Sequence, residues 1–203
     1  MTDKHPLSNY QVLLARTRTV HRPIGPVAYD CVKVIVVRDG TAVLFSEFGQ
    51  KPVRPGDVIV LGPNVLCGSE PEGHITVTTI YADTDYVIDQ AFWQYAGLLH
   101  DRLDAPVFVK ETFTEPAQVI RLGEHHAGLL MPWLDELVAL SLDDARARFH
   151  RMQALWFAVV LLQSWAESSE DSVSHSLMAA ACGRSQAVSN TRLTITASGF
   201  GCP

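Results

Sequence analysis

Apolar positions come in short runs cut by tight turns over the first eighty residues, and at three- and four-residue spacing afterwards. The clearest run is Val58-Ile59-Val60-Leu61, fed by the turn Pro55-Gly56-Asp57 and ended at once by Gly62-Pro63-Asn64. Four apolar residues between two turns predict a short buried strand. Pro55 presets the backbone of the first turn, and Gly56 can take the positive φ of a type II turn. Cys31 to Arg38 is dense in β-branched residues, and Asp39-Gly40 ahead of Thr41 to Phe45 predicts a two-residue hairpin. Val65-Leu66-Cys67 resumes β structure, Gly68 to Gly73 is expected to be a loop, and Ile75 to Tyr81 alternates between two faces. With an edge strand somewhere in Ser8 to Val20, five or six short strands by residue 81 predict a small all-β barrel or sandwich.

Helical spacing begins at Asp83-Thr84-Asp85, which offers caps for a helix carrying Val87, Ile88, Ala91, Phe92, Tyr95 and Leu98, with Trp93 expected to pack on the barrel. Pro106 to Lys110 is expected to be one further strand. Past residue 128, Pro132 can sit in the first turn of a helix running to about Leu140. Ser141-Leu142-Asp143-Asp144 has the form of a capping box and opens a longer helix with apolar Ala145, Phe149, Met152, Trp156, Val159 and Leu162. The two make an antiparallel helix pair. From Ala154 the second helix is apolar almost all round, so its outer face must be covered, either by its own barrel or by a partner subunit. This divides the chain into a barrel (1–128), a helical segment (129–167) and a Ser/Ala-rich tail (168–203), expected to be poorly ordered.

Composition narrows the function. A chain of 203 residues, 47% hydrophobic and 19% charged, suits one globular domain with an appendage. The net charge of −6 argues against a large phosphate-binding surface. No signal-peptide core is present, and the nine-residue run Ala154 to Leu162 is too short to span a bilayer, so a soluble cytoplasmic protein is expected. The four cysteines form no C-x-x-C pair and are expected to stay reduced. The histidines lack metal-ligand spacing, and neither a nucleophile elbow nor a glycine-rich phosphate loop occurs. No metal, cofactor or catalytic residue is therefore assigned. Arg38 ends an apolar strand on the face of Val32, Val34 and Val36, placed to reach a carboxylate or sugar hydroxyl at the barrel mouth. Cys67 and Tyr81 are candidates to line the same cavity. The plainer accounts are a solvated hairpin-end arginine and a small buried thiol.

Val37-Arg38-Asp39-Gly40, the tract Arg54 to Pro63, and Ile80 to Gln90 followed by Trp93 resemble the N-terminal cupin-like half of AraC/XylS-type bacterial transcription regulators, over about residues 10 to 165. The resemblance implies a cupin-like (jelly-roll) β-barrel followed by an antiparallel helix pair, mainly β with C-terminal α. It further implies that the barrel binds a small-molecule effector and that Arg38 falls where sugar-sensing relatives place a ligand-binding arginine, whereas Cys67 departs from the His that many such sensors have; with Tyr81 these are the expected ligand-binding residues. The second helix would pair subunits through Phe149, Met152, Trp156, Val159 and Leu162, giving a homodimer or a mixed dimer with an intact relative. Nothing beyond Glu167 resembles the family's paired DNA-reading units, so direct nucleic-acid binding by this chain is not expected. The alternatives are a stand-alone cupin enzyme and a simple small-molecule binding protein.

Overall fold

The computed structural model describes residues 11–112, 115–142 and 145–167; the tail assigned to 168–203 lies outside the described residues. Seven strands form one antiparallel sheet: β1 (Leu13–Val20), β2 (Ile24–Val27), β3 (Val32–Ser46), β4 (Gly49–Val53), β5 (Asp57–Leu61), β6 (Cys67–Ala82) and β7 (Ala117–Arg121). Their order is β1-β6-β3-β5-β7, with β2 on β6 and β4 on β3. Helices follow: α1 (Thr84–Gln94), α2 (Ala105–Thr112), α3 (Gly123–Leu142) and α4 (Ala145–Glu167). The fold is mainly β with a C-terminal helix pair, as the periodicity predicts.

β5 is buried along its whole length, and Gly56 in the turn before it has φ +88°. Here the apolar run and its turn chemistry act as expected. Asp57 closes that turn by accepting the Arg54 N–H at 3.0 Å. Asp83 caps α1 by accepting the Tyr86 N–H, also at 3.0 Å.

The long strands differ from the sequence reading. Asp39-Gly40 is not a hairpin, because β3 runs straight through it and pairs with β6 on both sides, the register slipping between Val37 and Asp39 and again between Gly40 and Ala42. The glycine's positive φ of +73° serves a β-bulge, and a Cβ there would lie 2.1 Å from the His74 carbonyl oxygen. Gly68 to Gly73 correspondingly belongs to β6 rather than to a loop. Bulges bend a strand sharply, so β3 and β6 fold the sheet onto itself.

Two cores result. On the outer face Val32, Val34, Val36, Val58, Val60 and Ile80 pack against Leu130, Leu134 and Leu137 of α3 and against α4. On the inner face Val37, Leu44, Val53, Ile59, Leu61 and Ile75 pack against one another.

Several helical expectations also change. Pro106 to Lys110 lies in α2, not in a strand: Pro106 is well placed in a first helical turn, and Phe108 packs on Tyr95 at 5.0 Å between ring centroids. α3 begins at Gly123, so the helical segment starts six residues before the expected boundary at 129, and Pro132 is inside the helix. The carbonyl that Pro132 leaves without a donor belongs to exposed Gly128, where water can reach it. Ser141 does not cap α4. It lies buried at the end of α3, donating to the Leu137 carbonyl at 2.7 Å and accepting the Ala15 N–H of edge strand β1 at 2.8 Å. Trp93 does not pack on the barrel; it is 73% exposed, edge-on to Phe92.

Of the residues expected to pair subunits, the four whose side chains are described pack within the chain. Met152, Trp156 and Val159 are buried in the outer-face core, because α4 lays its apolar stripe on α3 and the sheet. Phe149 packs edge-on against Tyr86 of α1. The side chain of Leu162 lies outside the described residues.

Candidate functional site: a cationic inner face around Lys33

Strand alternation decides which side chains the folded sheet encloses. In β3, Val32, Val34 and Val36 face the helices, so Lys33 faces inward, opposite Tyr81 of β6. In β1, Leu13 and Ala15 belong to the helix-side core, which turns Arg16 and Arg18, both exposed, to the other side, opposite Thr79 and Val77. Three cations and a tyrosine thus share one face of three neighbouring strands.

Lys33 is only 5% exposed. Its Nζ lies 4.6 Å from the centroid of the Tyr29 ring, and that ring in turn lies 5.7 Å from Tyr81. Among the described residues no hydrogen bond or ion pair reaches Nζ; the ring face is its electrostatic contact. Burial pushes the Lys33 ammonium below the ordinary lysine range, with the neighbouring thiols Cys67 and Cys31 pulling the other way. Burial also raises both thiols, against the opposing pull of Lys33, so neither is a thiolate at neutral pH and neither supplies a counter-charge. The Tyr81 hydroxyl is likewise raised, first by burial and then by Tyr29, while Arg18 and Arg16 act against the shift. It stays a neutral donor.

A buried lysine beside two phenols, with no carboxylate in ion-pair range among the described residues and two exposed arginines on the same side of the sheet, is equipped to hold an organic anion. The ammonium gains most from a carboxylate that replaces lost hydration, and the aromatic rings offer apolar contact beside it.

Of the three residues singled out in the sequence, the structure brings Cys67 and Tyr81 together around Lys33 and separates Arg38 from them. Arg38 is on the outer face. Its Nε donates to Thr78 Oγ1 at 2.6 Å, and its Nη2 lies 2.7 Å from Asp135 Oδ1 of α3, an ion pair without hydrogen-bond alignment. The arginine therefore ties barrel to helix rather than lining the inner face. Lys33, Arg16, Arg18 and Tyr29 are the residues that sequence reasoning missed. The signal was the alternation itself: Lys33 is the polar residue within a valine-rich run, and Arg16 and Arg18 alternate with Ala15 and Thr17.

No protein-family model matches the chain, and no curated protein matches it. Solved structures do. A cupin superfamily protein from Desulfitobacterium hafniense is 13% identical, with 38% of this chain and 72% of that chain covered and a TM-score of 0.35. A cupin 2 conserved barrel domain protein from Salinispora arenicola is 18% identical, with 39% and 70% covered and a TM-score of 0.34. ToxT from Vibrio cholerae, bound to (E)-4-(8-methylnaphthalen-1-yl)but-3-enoic acid, is 9% identical, with 94% and 68% covered and a TM-score of 0.47.

Proposed function

We propose that this protein is a non-enzymatic sensor module of the AraC type, whose barrel takes a small organic anion as effector at the Lys33 end of its inner face. The observation that carries the reading is Lys33, a lysine buried along its stem, whose ammonium meets a tyrosine ring and, among the described residues, no carboxylate within ion-pair distance. Arg16 and Arg18 on the same face add attraction for an incoming anion, in a chain whose net charge is −6.

The same strand offers a route outward. β3 carries Lys33 on its inner face and Arg38 on its outer face, and Arg38 is held to Asp135 of α3. A ligand that draws Lys33 inward shifts the strand to which α3 is tied, so occupancy of the barrel is felt by the helix pair. AraC-type regulation by way of that pair is the use to which the resemblance in Arg54 to Pro63 and Ile80 to Gln90 points.

Thermal denaturation with short aliphatic and aromatic carboxylates, each beside its uncharged amide, tests the reading. Acids are expected to raise the melting temperature by mass action while their amides do not, and Lys33→Met is expected to cut the rise. Equal shifts from acid and amide, or a rise of undiminished size in Lys33→Met, would overturn it.

A further inference from the structure

The turn Arg54-Pro55-Gly56-Asp57 is not used by the site around Lys33, yet it builds a second one. A cleft of 370 Å³ is lined by Arg54 and Arg121, by Thr41 and Glu72, and by exposed Pro52, with buried Ala42 and Val53 behind them. That volume is in the range of small-molecule pockets. Asp57, 2% exposed, organises one wall: it accepts the Arg54 backbone N–H at 3.0 Å and the Arg121 Nη1 at 2.6 Å. Arg121 Nη2 also donates to the Pro52 carbonyl at 3.3 Å, so that guanidinium is fixed and its charge is answered by Asp57. The Arg54 guanidinium is different. Among the described residues it makes no hydrogen bond or ion pair, and its turn is held in place beneath it.

Glu72 limits what can enter. Its Oε2 accepts the Thr41 hydroxyl at 2.7 Å, while no described residue donates to its Oε1. A bare anion large enough to fill the cleft would meet that carboxylate and be repelled. A ligand with an oxyanion for Arg54 and an adjacent donor for Glu72 Oε1 satisfies both, with its carbon body on exposed Pro52.

We propose that this cleft binds a small carboxylate bearing an adjacent hydroxyl or amino group, as a second ligand site independent of Lys33. The Arg54 fork takes the carboxylate, and Glu72 accepts from the neighbouring O–H or N–H.

The test is isothermal titration of the full chain carrying Lys33→Met, so that the inner site does not contribute. Lactate, L-alanine and propionate serve as probes. Lactate and alanine represent the hydroxyl and amino sources of the donor, and propionate lacks it. At least one of the first two is expected to bind about tenfold more tightly than propionate, the worth of one hydrogen bond to a charged group. Arg54→Gln, whose side chain has no described internal partner to lose, is expected to keep the melting temperature and weaken binding by about tenfold or more. Glu72→Gln should reduce the preference over propionate. No heat from any probe, or binding unchanged by Arg54→Gln in a protein of unchanged melting temperature, would overturn the proposal. Equal affinity for propionate would overturn the role given to Glu72.

Discussion

Lys33 costs the unliganded protein stability. A buried ammonium without a carboxylate forfeits hydration that a ring face restores only in part, so Lys33→Met is expected to stabilise the empty protein by about 1–2 kcal/mol. The pH dependence follows from the direction of its shift. The folded-state pKa is lowered by burial, so the unfolded chain binds the extra proton. The cost is fully present below the lowered folded value and is relieved as pH climbs toward about 10.4, the ordinary lysine value. Cys31 and Cys67, raised by burial, act in the opposite sense over the alkaline range, losing stability as pH rises. The difference between wild type and Lys33→Met reports the lysine together with its pull on the two thiols. Urea denaturation from pH 7 to 10 should show that difference shrinking as pH rises; a constant or growing difference would be at odds with the burial of a charge. In the sequence, Lys33 among valines looks like the wet side of a half-buried strand. That inference holds for an open sheet with one solvated face. Once the sheet closes, the alternate residue goes inside, and no local pattern says which polar residue will do so.

At the scale of elements, the joint between β1 and the end of α3 rests on one hydroxyl. Ser141 satisfies the Ala15 N–H, which an edge strand otherwise leaves open, and Ala15 is almost wholly buried. Ser141→Ala is expected to cost about 1–3 kcal/mol by stranding that donor, read as a lower urea midpoint with an unchanged slope. A substitution without effect would show that water replaces the hydroxyl. Element type was legible where local chemistry and tertiary need agree, as in Val58 to Leu61 and the Asp83 cap. It failed where one local signal serves two structures. Asp39-Gly40 supplies a positive φ equally to a hairpin and to a bulge, and only the distant partner strand β6, through Ile75 and Thr76, decides between them. Pro106 to Lys110 has the β-branched content of a strand and the proline of a helix start; the Tyr95 to Phe108 contact favours the helix.

Across the whole molecule, charge is arranged against the average. A chain of net charge −6 keeps buried Lys33 and exposed Arg16 and Arg18 on one side of the sheet, while the other carries the aliphatic core shared with α3 and α4. The sequence placed the apolar stripe of α4 and left two coverings open, its own barrel or a second subunit. The structure uses Met152, Trp156 and Val159 for the first, burying them in one core with Leu130, Leu134 and Leu137 of α3 and the outer face of the sheet. The central claim is that the Lys33 ammonium awaits a carboxylate. It is tested most directly by following the Lys33 side-chain NMR signals through a pH titration, with and without benzoate. The account predicts a free-protein pKa below the ordinary lysine value that climbs when benzoate binds; an ordinary value that benzoate leaves unmoved would contradict it.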